Sequence, residues 1–392
     1  SRPLSTIGIA VAFFVMHVGS ALLASRFMSG NGIVAAVWPP AGIALGLLLL
    51  TRLRYAPLVF FSALVANLLF GCTWWVAGLF AGANVAGALI GYILLTRVRP
   101  IHSQLNRARD FFRLFLYAGI LSTFVPALIG ATVIELSSTA PQTWLQNFEF
   151  WWMGDSLGVI VVTPFMLIWR RWEKIDLKPA QVYEAGLALV LAFVAGQMVF
   201  LGWFENSVDF HPRAFVMFIF VTWAAVRFGR HATLIVLTMI IVQILVGIVR
   251  GSGYFSASDK HLQLVNVWLY IAVLAATGMA LATFINERKR SLEKLSRVKE
   301  NLEQISSTAH VGGWELDVST MEIRFSSEAL RIVDLDPAAH LSVSRAMAFM
   351  APADQAAHTL RISAAIEKRI PWDVEFGMTT ATGRHIWVRS QG

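Results

Sequence analysis

Cysteine is nearly absent: Cys72 stands alone among 392 residues, so no intrachain disulfide is possible. Its position at the end of an apolar stretch marks it as a small apolar residue rather than a redox group. Charge is scarce as well, with 14% charged residues against 56% hydrophobic and a mean hydropathy of +0.62. Soluble domains carry about 25% charged residues, so the main solvent of this chain is a bilayer. Also missing are a phosphate-cradling glycine loop, a zinc-ligand spacing and a nucleophile triad, which argues against catalysis by these residues alone.

What is present is a series of ten apolar stretches: 7–27, 33–50, 56–71, 74–96, 110–135, 151–169, 183–204, 213–228, 231–250 and 262–285. Most approach the roughly 20 residues that cross the hydrocarbon. Residues 33–50 and 213–228 are short, and Pro39 and Pro40 break the first, which points to a re-entrant or kinked segment there. The first stretch is not a cleaved secretory signal: Ser29, Gly30 and Asn31 lead straight into further apolar sequence without a clear small-residue cleavage site.

Loop charge sets the expected orientation, because Lys and Arg are retained on the cytoplasmic side. One set of alternate loops carries twelve basic residues, among them Arg52, Arg54, Arg97, Arg99, Arg171, Lys174, Lys178, Arg227 and Arg230. The opposite set has four, Arg26, Arg213, Arg250 and Lys260, beside Glu135, Glu149, Glu205, Asp209 and Asp259. Twelve against four puts both termini in the cytoplasm. The net charge of +8 and pI near 9.9 then fit an anionic membrane face and imply no nucleic-acid partner.

Three motifs occur in order: WPPAG from Trp38, GD-x-x-G from Gly154 with Thr163 and Pro164 following, and W-x-x-x-RFG from Trp223. Together they resemble the MASE1 family of bacterial integral-membrane sensor domains, over about residues 7–285. The resemblance implies an input domain of about eight helices, against the ten stretches read here, attached to a diguanylate cyclase, a cyclic-di-GMP phosphodiesterase or a histidine kinase. The polar residues inside the spans indicate where a small-molecule or protein signal would act. On the expected topology Trp38, Asn67, Asn84 and Asp155 fall together toward the outer leaflet, with Gln197, Gln243 and Asn266 in outer halves too. An isolated carboxylate at a helix centre costs roughly 2.5–3.5 kcal/mol, which makes Asp155 the leading candidate. The competing reading is that Asn and Gln join helices by hydrogen bonds and that Asp155 is wetted at the interface. His17 reads as a helix-packing polar group, and Arg227 as a snorkelling anchor at the inner end of its span. Gly78, Gly82, Gly87 and Gly91 permit close helix contact, within one subunit or between two.

From Asn286 the sequence turns hydrophilic, and Leu295, Val298, Leu302 and Ile305 follow the 3, 4, 3 spacing of a coiled-coil seam. This predicts a parallel homodimer, the alternative being a surface helix. Beyond it, WELDV (314–318) and EIRFS (322–326) alternate as hairpin strands. Helices are expected over 327–335 and 354–368, and strands over 372–379 and 384–390. The stretches AHVGGWELDV, MAPAD and GRHIWVRSQG resemble a PAS domain. No cysteine lies in this segment, which excludes cysteinyl-flavin photochemistry. His358 has the position of a haem ligand, although a histidine on an amphipathic helix is usually just exposed.

The expected architecture is thus a polytopic α-helical membrane bundle of about eight to ten transmembrane helices (1–285), a helical coiled-coil linker (286–305) and an α+β PAS domain (306–392). No GGDEF or EAL string occurs. The chain starts without methionine and stops within an expected strand, so an output domain is expected after Gly392. A GGDEF cyclase using GTP and Mg leads, a histidine kinase is next, and a transporter with a regulatory tail remains a third class. The chain itself shows no evident cofactor. Its expected location is the bacterial inner membrane.

Overall fold

The computed structural model describes residues 6–25, 35–102, 104–137, 142–170, 179–203, 213–256, 259–320, 322–336 and 342–392. Ser29, Gly30, Asn31, Arg26, Arg171, Lys174, Lys178, Glu205 and Asp209 lie outside the described residues. The chain divides into two compact units, Ser1–Lys289 and Arg290–Gly392.

The first unit is helical: α1 (Thr6–Ser25), α2 (Pro39–Leu50), α3 (Ala56–Leu69), α4 (Trp74–Ile93), α5 (Ala108–Arg113), α6 (Phe124–Ser137), α7 (Trp144–Trp169), α8 (Pro179–Leu201), α9 (Met217–Arg227), α10 (Arg230–Arg250) and the first part of α11 (Lys260–Ala309), whose remainder belongs to the second unit. More widely wound π-helical turns continue α4 over Leu94–Val98 and bridge α5 toward α6 over Leu114–Ser122. Among the described residues seven helical stretches are long and apolar enough to cross a membrane, and three apolar ones are shorter: Pro39–Leu50, Leu53–Leu69 and Ala214–Arg227. With 12 residues, α2 rises only about 18 Å, against a hydrocarbon core of about 30 Å. The sequence anticipated two of the three short helices; α3, with 14 residues, is the one it took for a full span. As expected, the apolar stretch 33–50 is interrupted at Pro39 and Pro40: residues 35–38 are not helical and α2 starts at the prolines. They occupy the first turn of α2, where an absent N–H leaves nothing unsatisfied.

Of the spanning helices α7 is the most enclosed. It packs on α2, α6, α10 and the Leu114–Ser122 turns, and its Gly154 and Gly158 let the backbone before α2 approach it closely. In the fourth stretch the glycines divide. A Cβ on Gly87 would crowd Pro126 and one on Gly91 would crowd Ser122 and Leu45, whereas Gly78 and Gly82 meet nothing within 4 Å. Of these four glycines, only Gly87 and Gly91 serve close packing within this chain.

In the second unit β1 (Trp314–Asp317) pairs antiparallel with β2 (Glu322–Phe325), Trp314 facing Phe325. Next come α12 (Ser327–Ile332), α13 (Val343–Met347) and α14 (Pro352–Lys368). A second hairpin joins β3 (Asp373–Thr379) to β4 (His385–Gln391), with Asp373 opposite Gln391. Ser326 caps α12 by accepting the amide of Ala329 at 3.2 Å. The one helix not expected from the sequence is α13, whose five residues are too few for a periodic pattern. Across this second hairpin Arg389 clasps Asp373 through two nitrogens, and with Gln391 it holds that carboxyl down at about 2. His358, expected to be exposed, is 5% exposed, its ring 5.1 Å from Phe376 and 5.9 Å from Trp372. By contrast Leu295, Val298, Leu302 and Ile305 are 54–66% exposed.

Candidate functional site

The WPPAG and GD-x-x-G motifs meet as one backbone contact. Trp38 N–H donates to the carbonyl of Gly154 at 2.9 Å, and Thr163 Oγ1 donates to the carbonyl of Gly42 at 3.0 Å. A Cβ on Gly154 would stand 2.7 Å from the Ala35 carbonyl oxygen; one on Gly158 would overlap the Trp38 carbonyl and one on Gly42 the Gly158 carbonyl. These glycines are required by main chain lying against main chain.

That contact sets Asp155 one residue from the seam. Its side chain is 3% exposed and accepts Trp151 Nε1–H at 3.1 Å on Oδ2. Beside it is a cavity of about 10 Å³ lined by Asp155, Asn84, Ser122, Thr123 and Pro126 with apolar neighbours. Asn84 Nδ2 donates to Phe80 O at 2.9 Å, Ser122 Oγ to Ala118 O at 2.7 Å and Thr123 Oγ1 to Gly119 O at 2.8 Å. Of the four residues expected together, Asp155 and Asn84 thus share a site. Trp38 touches α7 through its backbone while its ring packs 6.3 Å from that of Phe70, and Asn67 turns back to the Ala63 carbonyl at 2.8 Å. Neither lines the cavity. The sequence reading missed Ser122 and Thr123, although two adjacent hydroxyls followed by Pro126 within an apolar run are a visible signal.

Gln197 and Gln243 belong elsewhere. They line a cavity of about 370 Å³ between α7, α8 and α10, with Phe165, Phe193, Ile235 and Met239. Gln243 Nε2 donates to Phe193 O at 2.8 Å, and its Oε1 is buried without a hydrogen-bond partner. Asn266 is exposed. His17 is buried in α1, 5.3 Å from the Phe13 ring, with neither ring nitrogen hydrogen-bonded. It packs, but it joins no second helix through hydrogen bonds.

The MASE1 family model matches residues 7–289, nearly three quarters of the chain and all three motifs. The chain belongs to the MASE1 family. Over 227 residues it is 22% identical to the probable diguanylate cyclase DgcE of Escherichia coli strain K12, a match covering 56% of this chain and 19% of that protein. The chain therefore matches about a fifth of the length of that relative. No solved structure matches.

In this MASE1 bundle the third motif also has a structural reading. Arg227 grips Glu184 of α8 with Nε at 2.8 Å and Nη2 at 2.6 Å, and Trp223 Nε1 adds a third bond to the same carboxylate at 3.1 Å. Expected as a snorkelling anchor, Arg227 instead clamps α9 to α8. Gly229 follows with φ +76°, a turn that an L side chain resists, and starts α10. Arg230 is 6% exposed and donates to the carbonyl of Gln104 at 2.6 Å and to Asn106 Oδ1 at 2.9 Å, tying α10 to the segment before α5. At the start of α11, His261 Nε2 lies 2.7 Å from Glu149 Oε2 of α7. The helix carrying Asp155 is thereby joined directly to the last membrane helix.

Proposed function

We propose that this chain is the input and transmission region of a bacterial inner-membrane protein whose output is a GGDEF diguanylate cyclase acting on GTP with Mg. The observation that carries the reading is the MASE1 match over 7–289; the likeness to a protein named a probable diguanylate cyclase points to the kind of output. The twelve-to-four loop charge supports cytoplasmic termini. On this reading the signal acts through α7, with Asp155 and Asn84 at its receiving point and the Glu149–His261 bond passing the change to α11.

Transmission is supported by the length of α11. Its 50 residues are more than twice the about 20 that a bilayer needs. The exposed Leu295, Val298, Leu302 and Ile305 form the seam of a parallel homodimer, and the signal shifts the population between two dimer arrangements. Residues 306–392 act as a PAS relay, a reading supported by the order hairpin, helices, hairpin. Replacing Leu295 and Leu302 together by Glu is expected to weaken self-association in cross-linking and sedimentation; a variant that stays fully dimeric removes this seam.

The test of the output uses the intact protein in native-like membranes, given labelled GTP with Mg and labelled ATP in parallel. Cyclic di-GMP is the expected product. Phosphohistidine in its place overturns the cyclase output in favour of a sensor kinase, and substrate accumulation in proteoliposomes with neither product does so in favour of a transporter.

A further inference from the structure

We infer that the cavity between α4, the Leu114–Ser122 turns and α7 is a monovalent-cation site that takes a dehydrated Na⁺, bound by Asp155, Asn84, Ser122 and Thr123. The inference deepens the proposed function by naming the ligand class of its receiving point, and only its signalling role rests on that reading.

Size decides first. A volume of about 10 Å³ is close to that of one water molecule, so organic ligands and hydrated ions do not fit. Charge decides next. Asp155 is 3% exposed, its hydrogen bond comes from the neutral indole of Trp151, and no Lys, Arg or His lines the cavity among the described residues. A carboxylate taken out of water without a counter-charge is costly; it is relieved either by a proton or by one positive charge placed in this void, so Na⁺ binding here competes with protonation of Asp155. A divalent ion would leave a surplus charge buried, because the lining supplies a single carboxylate.

The orientation of the protons points the same way. Ser122 and Thr123 have each given their one hydroxyl proton to a carbonyl of the preceding turn. Asn84 has turned an amide proton to Phe80 and retains its carbonyl oxygen as an acceptor. What these side chains have left to offer is mainly lone pairs on hard oxygen, the donor set of an alkali cation. The backbone agrees. Here the π-helical turns end at Ser122, and Pro126 has no N–H to give to the Ser122 carbonyl. Interrupted helices that free carbonyl oxygen deep in a bundle are a recurrent way of holding Na⁺ in membrane proteins. The interruption also lies against the one buried carboxylate that lines the cavity.

The experiment takes the intact protein in lipid nanodiscs and follows radioactive ²²Na⁺ binding, and Tm, as NaCl replaces choline chloride or KCl at constant ionic strength. A saturable, Na⁺-specific rise in Tm with matching ²²Na⁺ uptake is expected. Asp155→Asn and Ser122→Ala should each weaken it at least about tenfold, a loss of one charge or one ligand worth about 1.4 kcal/mol or more. Equal rises in Na⁺, K⁺ and choline, or full Na⁺ response in both variants, would overturn the site and leave a lone water there. Ser122→Ala keeps the test decisive if Asp155→Asn does not fold. Output separates the two readings. If the Asp155→Asn protein is altered in its cyclase response while wild type shows no Na⁺ binding, the cation site is overturned and the receiving point stands. If Na⁺ binds wild type but not Asp155→Asn, and their cyclase output is identical, the cation site stands and Asp155 leaves the signalling path.

Discussion

The cavity beside Asp155 and the cavity beside Gln243 lie in the same helical unit and each holds buried polar side chains, yet one measures about 10 Å³ and the other about 370 Å³. The difference follows from what separates the helices. Around Asp155, Gly42, Gly154 and Gly158 bring α7 against the WPPAG backbone, so little space is left, and what remains is bordered by Asp155, Asn84, Ser122 and Thr123 beside apolar Ala41, Leu45 and Val159. Between α8 and α10 the Gln243 amide occupies the space over Gly196, and bulky Phe165, Phe193 and Met239 prop the walls apart. Both linings mix polar with apolar side chains, the larger being far more apolar, and backbone proximity sets the size. A small void with one carboxylate and three neutral polar side chains at its wall suits an ion; a wide apolar one bordered by the exposed Phe193, Ile235 and Val242 faces the lipid phase.

The comparison breaks most sharply at Gly158. Gly158→Ala puts a methyl group onto the Trp38 carbonyl, and main chain cannot turn aside as a side chain can. A loss of about 3 kcal/mol, the upper end for overpacking, is expected in chemical denaturation of the detergent-solubilised protein. An unchanged midpoint would show that the close approach is not what limits the Asp155 cavity. Gln243→Leu probes the other cavity with a smaller expected effect. It removes an orphaned acceptor along with one bond to Phe193, whose carbonyl lies within α8, so stability should stay within about 1 kcal/mol of wild type. A loss as large as that of Gly158→Ala would mean that the amide, and not apolar packing, holds α8 and α10 together.

The smallest effect is expected at His358, a buried polar group outside the membrane. Burial, and then the charge of Arg361, push this histidine below its ordinary range. The fold therefore favours the neutral ring and the unfolded chain takes up the proton first. Its contribution to stability is full above about pH 6.5, the unfolded value, and is lost as pH falls from there through the lowered folded value. Hydrogen exchange of α14 and β3, corrected for intrinsic rates, should show this loss in wild type and a flatter profile in His358→Gln. Equal slopes would place the sensitivity on another group.

Local pattern carried much of the architecture. The alternation in WELD and EIRF located β1 and β2 to within a residue of their ends, and α14 starts two residues before its expected start. Period-two and period-3.6 patterns arise from the chain's own geometry and need no knowledge of neighbours. The candidate site was legible only in part. Asp155 and Asn84 stood out as polar groups in apolar runs. Ser122 and Thr123 did not, because hydroxyls are common in membrane helices and take on meaning only when another helix brings a carboxylate to them. Glu184 was passed over for the same reason: its partner Arg227 is 43 residues away.

What the sequence alone determined is the solvent of each region, the long membrane helices, the charge asymmetry of the loops and the three family motifs, all of which depend on composition and spacing along the chain. Tertiary structure decided that WPPAG and GD-x-x-G are two sides of one backbone contact, that Asp155 and Asn84 line one cavity while Gln197 and Gln243 line another, and that His358 is buried. Each of these depends on which faces meet across dozens of residues, and close packing, unlike periodicity, is a property of pairs of segments rather than of any one.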